Sequence, residues 1–241
     1  MRDNLRAIYY IVLKDMKTYY LKPPSISWGI VFPIAWTLAF YLRNPRGFET
    51  LIPGLIAMTI LFSTTAAEAV VINFEIRLGS LERLLLTPVS LSAVLLGKIL
   101  GGVLFGLLMT SVITFGSTLI LGIYPNYFHL FIILIPSLLV FASLGAFLCV
   151  SVKEVFEAQT LLNLPRFVMI FLSGVIYPVS AMPAALRYFS HILPLTYSVD
   201  GLRKSFAIGT NPIIFIDVLI LLLFFIIFLL PAVKLLSKKF E

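Results

Sequence analysis

The sequence predicts an all-α membrane protein with six transmembrane helices, and three observations carry that reading. Hydrophobic residues fill 60% of the 241 positions and charged residues 12%, against about 45–50% and about 25% in soluble domains; the mean hydropathy is +1.06. Six apolar runs reach the roughly 17–25 residues that a helix needs to cross a bilayer: 25–42, 50–72, 91–123, 127–152, 160–178 and 212–234. No polar block between them is long enough to fold separately, so residues 25–241 read as one membrane domain behind a distinct segment over 1–24.

That first segment has no compact apolar centre and carries Arg2, Arg6, Lys14, Lys17 and Lys22 along its length, which excludes a signal peptide. Leu5, Ile8, Tyr9, Val12, Met16 and Tyr19 recur at three- and four-residue steps, while Arg6, Tyr10, Lys14 and Lys17 fall opposite. This is the pattern of an amphipathic helix lying in the headgroup layer. Pro23-Pro24 ends it, because neither proline offers an N–H and the residue before a proline avoids the helical region. The third apolar run is longer than one crossing and projects from the bilayer or tilts. Pro33, Pro53, Pro136 and Pro165 lie inside apolar runs and are expected to kink them where neighbours satisfy the freed carbonyls.

Six crossings put both termini on one side, and the basic residues choose it. With the N-terminus inside, the five bases of the first segment, Arg77, Arg83, Lys98, Lys153, Arg166, Lys234, Lys238 and Lys239 are internal, thirteen of the 18 Lys and Arg. Arg43, Arg46, Arg187, Arg203 and Lys204 are external. That bias predicts a cell-membrane protein with cytoplasmic N- and C-termini.

The second connection, 74–90, is then cytoplasmic and carries Glu75, Arg77, Glu82 and Arg83 between two apolar runs. Ser80 is placed to cap a short helix, Glu82 sets negative charge at its positive end, and Pro88 stops it near Leu86. A helix this short is marginal alone. Something must pack on it, and a docking element for a partner outside the membrane is the simplest reading.

Charges within apolar runs are costly, roughly 2.5–3.5 kcal/mol each on insertion scales. Glu68 and Lys98 fall near the cytoplasmic ends of antiparallel neighbours and are expected to sit close enough to interact, the alternative being that each reaches separately toward the headgroups. Arg166 faces a substrate path, a carboxylate such as Glu157, or the headgroups; Asp217 is expected at the interface. Gly97 with Gly101, and Gly102 with Gly106, form small-xxx-small patterns that permit close helix approach or a dimer contact. The net charge of +7 is scattered as topology determinants, with no basic-aromatic patch, so nucleic acid is not an expected partner. The lone Cys149 has no neighbouring Cys or His, so no disulfide or metal site is expected. His129 and His191 are far apart and no H-E-x-x-H or G-x-S-x-G occurs, which leaves no catalytic set.

The run from Glu75 to Ser90, followed by Leu96-Gly97-Lys98, resembles the E-x-R-x-G-T-L-E-x-L-L-x-T-P pattern leading into L-G-K of the ABC-2 type permeases, with Ser80 in place of the commoner threonine. Phe171-Leu-Ser-Gly174-Val-Ile-Tyr-Pro178 through Pro183 resembles that family's F-L-S-G-x-x-x-P-x-x-x-x-P motif. Leu193-Pro194-Leu195-Thr196-Tyr197-Ser198-Val199-Asp200-Gly201-Leu202-Arg203 resembles its N-P-L-T-Y-x-x-E-x-L-R motif, with Leu193 for asparagine and Asp200 for glutamate.

The resemblance implies half of an ATP-driven exporter, a homodimer or a dimer with a closely related permease, resting on two copies of a separate ATP-binding cassette ATPase. It implies that 74–90 holds a cytoplasmic coupling helix between spans two and three, with Glu75, Arg77, Gly79, Ser80, Leu81, Glu82, Arg83, Leu84 and Pro88 as coupling residues, braced by the interfacial helix. It further implies short re-entrant outer helices over 179–208, between spans five and six. The only Gly-Lys pair, Gly97-Lys98, lacks the remainder of a phosphate-binding loop. ATP and Mg therefore belong to the partner, and this chain holds no cofactor and is no enzyme. The expected cargo is an amphipathic drug-like molecule, a lipid or a lipid-linked glycan. The alternative, a gradient-driven secondary transporter, predicts an internal repeat with matching interrupted helices, and the 74–90 segment has no counterpart in the second half.

Overall fold

Pro23-Pro24 closes one helix and opens the next. In the computed structural model, which describes residues 2–43, 50–85, 89–152, 155–207 and 212–240, α1 (Arg2–Asp15) passes into a π turn over Met16–Tyr20, and α2 (Pro23–Ile26) starts at the proline pair. Proline suits a first helical turn, where its missing N–H would be unpaired anyway. A second π turn, Ser27–Val31, leads into α3 (Phe32–Arg43) just before Pro33, whose ring displaces the regular hydrogen-bond ladder.

The rest is helical: α4 (Ile52–Arg77), α5 (Ser80–Leu85), α6 (Leu91–Leu121), α7 (Tyr127–Ser151), α8 (Val155–Leu172), α9 (Ala184–Ser190), α10 (Pro194–Phe206) and α11 (Ile214–Phe240). Among the described residues there is no strand. Among the described residues four helices, Ile52–Arg77, Leu91–Leu119, Tyr127–Ser151 and Ile214–Lys239, are long and apolar enough to cross a membrane. The apolar runs at 25–42 and 160–178 fold as the shorter α3, 12 residues, with its preceding turns, and α8, 18 residues.

Helix α4 is the axis of the bundle, with α6, α7, α8 and α10 packed around it. It can be buried although it carries many hydroxyls, because these bond its own backbone: Thr59 donates to the Leu55 carbonyl at 2.9 Å, Ser63 to Thr59 at 2.6 Å and Thr64 to Ile60 at 2.8 Å. No hydroxyl of that group is left unpaired in an apolar interior. Helix α6 is two-faced. Leu100, Leu104, Leu108, Val112, Phe115 and Leu119 are exposed along one stripe, while Gly101, Gly102, Phe105, Gly106 and Met109 are buried on the other. Helix α11 packs on α7 through one edge, where Leu221, Ala232 and Leu236 are buried, and leaves the remainder of its apolar surface open.

The four glycines of the small-residue patterns are filled from within this chain. Ile11 lies against Gly97 and the Tyr20 ring against Gly101, each 3.1 Å from where a Cβ would stand. Glu68 lies against Gly102, and Thr64 and Leu138 lie against Gly106. These glycines therefore let α1, α4 and α7 approach α6 closely.

At the end of the bundle opposite α5, Gly174 breaks the chain after α8 with φ 84°, a conformation glycine adopts without a side-chain clash. A 3₁₀ turn over Val179–Ala181 and helices α9 and α10 follow. Thr196 donates to the Ser190 carbonyl, Tyr197 to the His191 carbonyl at 2.8 Å, and Arg203 to the Gly174 carbonyl. These bonds explain why threonine, tyrosine and arginine stand at those motif positions. Asp217, near the start of α11, is buried and paired. It is 4% exposed and accepts from Lys204 at 2.6 Å, because α10 folds back over the start of α11. An open cavity of about 530 Å³ lies at this end, lined by residues that include Leu51, Ile176, Pro178, Arg203 and Phe206.

Candidate functional site

The charged segment is built from the end of α4, a tight turn and α5. Helix α4 does not stop at the edge of its apolar run near residue 72 but continues through Glu75 to Arg77, because Glu75 is buried and paired. Gly79, at φ 66°, takes the left-handed conformation that ends a helix. Its carbonyl accepts from Arg83 N at 3.3 Å, so Gly79 also caps α5. Ser80 is consequently the first residue of α5 and not its cap. Its hydroxyl turns back and donates to the Glu75 carbonyl at 3.3 Å.

Beneath this turn four charges meet. Lys98 Nζ donates to Asp15 Oδ2 at 2.9 Å and Oδ1 at 3.2 Å, and to Glu75 Oε2. Lys14 Nζ donates to Glu75 Oε1 and lies 3.3 Å from Asp15 Oδ1. Lys98, Asp15 and Glu75 are buried, and only the Lys14 side chain reaches solvent, at 39% exposure. Two positive and two negative charges cancel, as burial of ions requires. Burial pulls the Lys14 amine down, but the Glu75 and Asp15 carboxylates outweigh it and hold the amine above its ordinary value. Burial pushes the Asp15 carboxyl up by more than Lys98 and Lys14 draw it down.

The cluster ties three elements. Helix α1 lies along the start of α6: Asn4 Oδ1 accepts from Ser90 N at 3.2 Å, Ile11 fills the Gly97 notch, and Asp15 reaches Lys98. Ser90 in turn caps α6, its hydroxyl accepting from Ala93 N at 3.3 Å. The face α1 turns to the protein runs through Ile8, Ile11 and Asp15, whereas Leu5 and Tyr9 of its apolar face are exposed, as is Tyr10.

The expected Glu68–Lys98 pair does not form. Side chains lean toward the N-terminus of their own helix, and α4 and α6 are antiparallel, so Lys98 leans toward Glu75 while Glu68 leans away. The Glu68 carboxyl is fully buried, and neither oxygen has a hydrogen-bond partner among the described residues. Arg166 is also buried, at 2% exposure, and faces α4 rather than the headgroups or Glu157. Its Nε donates to Thr65 Oγ1 at 2.8 Å and Nη1 to Asn163 Oδ1 at 3.0 Å, with the guanidinium 5.3 Å from the centre of the Phe62 ring.

Of the remaining residues of the charged segment, Arg77 and Arg83 are exposed together with Phe74 and Leu78, and Leu84 is half-buried. Leu81 is turned into the core, Glu82 falls within α5, and Pro88 lies outside the described residues. Sequence reasoning missed Asp15, although its spacing from Ile8 and Ile11 put an acid on the apolar face of α1. Asn163, three residues before Arg166 on α8, was within reach of helical spacing, but no spacing could have revealed Thr65, 101 residues away. Among the described residues no group of three or more His, Cys, Asp or Glu side chains could hold a metal ion.

A family described as "ABC-2 type transporter" matches residues 6–207. The chain is 30% identical over 183 residues to "Probable multidrug ABC transporter permease YbhS" of Escherichia coli strain K12, covering 73% of this chain and 48% of that protein. It is 27% identical over 220 residues to "Inner membrane transport permease YadH" of the same strain, covering 86% of this chain and 82% of that protein. A 45-residue stretch is 44% identical to "Nodulation protein J" of Rhizobium meliloti strain 1021, 19% of this chain and 16% of that protein. The chain thus spans about half the length of YbhS.

Proposed function

The chain belongs to the ABC-2 type transporter family, and from that premise we propose that it is the membrane subunit of an ATP-driven exporter that couples to separate ATPase subunits through α5. The family implies an ATP-binding cassette partner and a multi-pass membrane protein that is not itself the ATPase. On this reading α3 with its preceding turns and α8 complete six crossings, α1 lies in the cytoplasmic headgroup layer, and α9 and α10 form the outer re-entrant segment. Two copies, or this chain and a close relative, enclose the path, and the cargo is an amphipathic drug-like molecule, a lipid or a lipid-linked glycan.

The observation that carries the proposal is the join of α5 to the bundle. A six-residue helix, too short to persist alone, is held on one side by Leu81 in the core and stands directly over the Lys14–Glu75–Lys98–Asp15 cluster. A push on α5 therefore reaches α4, α6 and α1 together. Phe74, Arg77, Leu78 and Arg83 remain exposed for the ATPase; Glu75 and Leu81 act from inside as supports of that surface.

The test is Arg77→Glu with Arg83→Glu in the permease reconstituted with its ATP-binding cassette ATPase. Loss of ATP-dependent transport, with the permease still inserted and its melting temperature unchanged, is the expected result. Undiminished coupling in that variant would sink the docking assignment.

A further inference from the structure

Glu68 lies in the bundle interior and takes no part in the coupling scheme. It sits at the junction of α4, α6 and α7, fully buried, with both carboxyl oxygens unpartnered among the described residues. The slot around it is made by two glycines. A Cβ on Gly102 of α6 would stand 2.3 Å from Oε1, and one on Gly145 of α7 would stand 3.1 Å from the Glu68 Cβ.

Among the described residues, no group facing it places a cation within hydrogen-bond distance of the carboxyl. Lys98, from α6, is spent on Asp15 and Glu75. Tyr20, from the π turn after α1, presents a buried hydroxyl that is itself unpartnered, and Cys149, from α7, is a buried neutral thiol. Arg166, from α8, donates to Thr65 and Asn163, and its Nη2 is buried without a partner. On α4 itself, Asn73 leaves its Oδ1 unpartnered.

A bare carboxylate in such a place requires a compensating cation, and size decides which. Ca²⁺ requires six to eight oxygen ligands and Mg²⁺ an octahedral shell; an ammonium group requires acceptors on several sides. A slot that glycine alone leaves open admits none of these. We propose that Glu68 is a proton-binding site: its carboxyl holds a proton while α4, α6 and α7 are closed as seen here, and gives it up when α4 withdraws from Gly102 and Gly145 and water enters. In that step the O–H bond breaks and the proton passes to water; on reclosing, one proton returns to the carboxylate, with no change of oxidation state. Closing the helices thus takes up one proton, and acid favours the closed form. The opening motion rests on the permease reading; the proton in the closed form does not.

The test needs no ATPase, so its failure is distinct from a failure of the transport reading. The infrared difference between the reconstituted wild type and Glu68→Gln at neutral pH is expected to contain the carbonyl band of a protonated carboxyl, lost completely in the variant. Loss of carboxylate bands instead overturns the proposal. Should Glu68→Gln fail to insert, dicyclohexylcarbodiimide, which attacks protonated carboxyls in apolar surroundings, reads the wild type directly. Peptide mass spectrometry is expected to find the adduct on Glu68 and not on the ion-paired Glu75, and an adduct on Glu75 with Glu68 unmodified counts against the site.

Discussion

Replacing Lys98 with methionine removes the central cation of the four-charge cluster while keeping a side chain of similar length. Asp15 and Glu75 then share Lys14 alone, whose ammonium is 3.3 Å from Asp15 Oδ1 and whose side chain is 39% exposed. The buried site goes from neutral to a net charge of minus one. Removing one partner of a buried ion pair costs about 3–5 kcal/mol, and a chain of this size loses roughly 2–4 °C of melting temperature per kcal/mol. Lys98→Met is therefore expected to melt about 6–20 °C below wild type, read by thermal aggregation followed by size-exclusion chromatography in detergent. Adding Glu75→Gln restores neutrality, since Asp15 and Lys14 remain as a pair. The double variant is expected to recover much of the loss, with a coupling of about 0.5–3 kcal/mol between the two sites. A Lys98→Met melt equal to wild type, or a double variant that falls by the sum of the singles, would refute the ionic tie.

Further substitutions probe the packing and the remaining polar contacts. Gly106→Ala places a Cβ 2.5 Å from Thr64 Cγ2 and 2.7 Å from Leu138 Cδ2, and the overpacking is expected to cost about 1–3 kcal/mol in the same melt. Gly116→Ala meets nothing within 4 Å and is expected to be neutral or to stabilise by up to about 1 kcal/mol, so equal effects at the two positions would contradict the packing described. Asp217→Asn leaves Lys204 with Asp200, 2.8 Å away and more exposed; faster proteolysis of the α9–α10 segment is the expected readout. Lys14 is held above its ordinary value of 10.5, so its contribution is complete below that pH and is lost as the pH rises through the folded value. A fall in melting temperature on the alkaline side that is smaller in Lys14→Met is the measurement that checks it.

The membrane class, the apolar runs and the place of the charged segment were legible because each depends on composition or on local chemistry. Twenty apolar residues cannot be solvated, glycine at 79 and proline at 23 and 24 act on their own backbone, and a six-residue helix between spans announces a dependent element. Partners were not legible. Lys98 had two acids within reach along α4, Glu68 and Glu75, and the sequence pattern gave no reason to look to Asp15, 83 residues away. Ser80 had the chemistry of a cap, yet Gly79 took that position and the hydroxyl turned to Glu75.

By itself, then, the sequence determined that this chain is a helical membrane protein with a short charged helix between two of its crossings, since hydrophobic length and turn chemistry are properties of adjacent residues. Only the tertiary structure decided which face α1 turns inward, which acid Lys98 takes, and that Gly97, Gly101, Gly102 and Gly106 are filled from within the chain. Antiparallel helices bring distant residues together, and the lean of each side chain toward its own N-terminus then selects between neighbours two turns apart. Glu75 was selected in this way and Glu68 was left without a partner, a distinction that exists only once α1, α4 and α6 are packed.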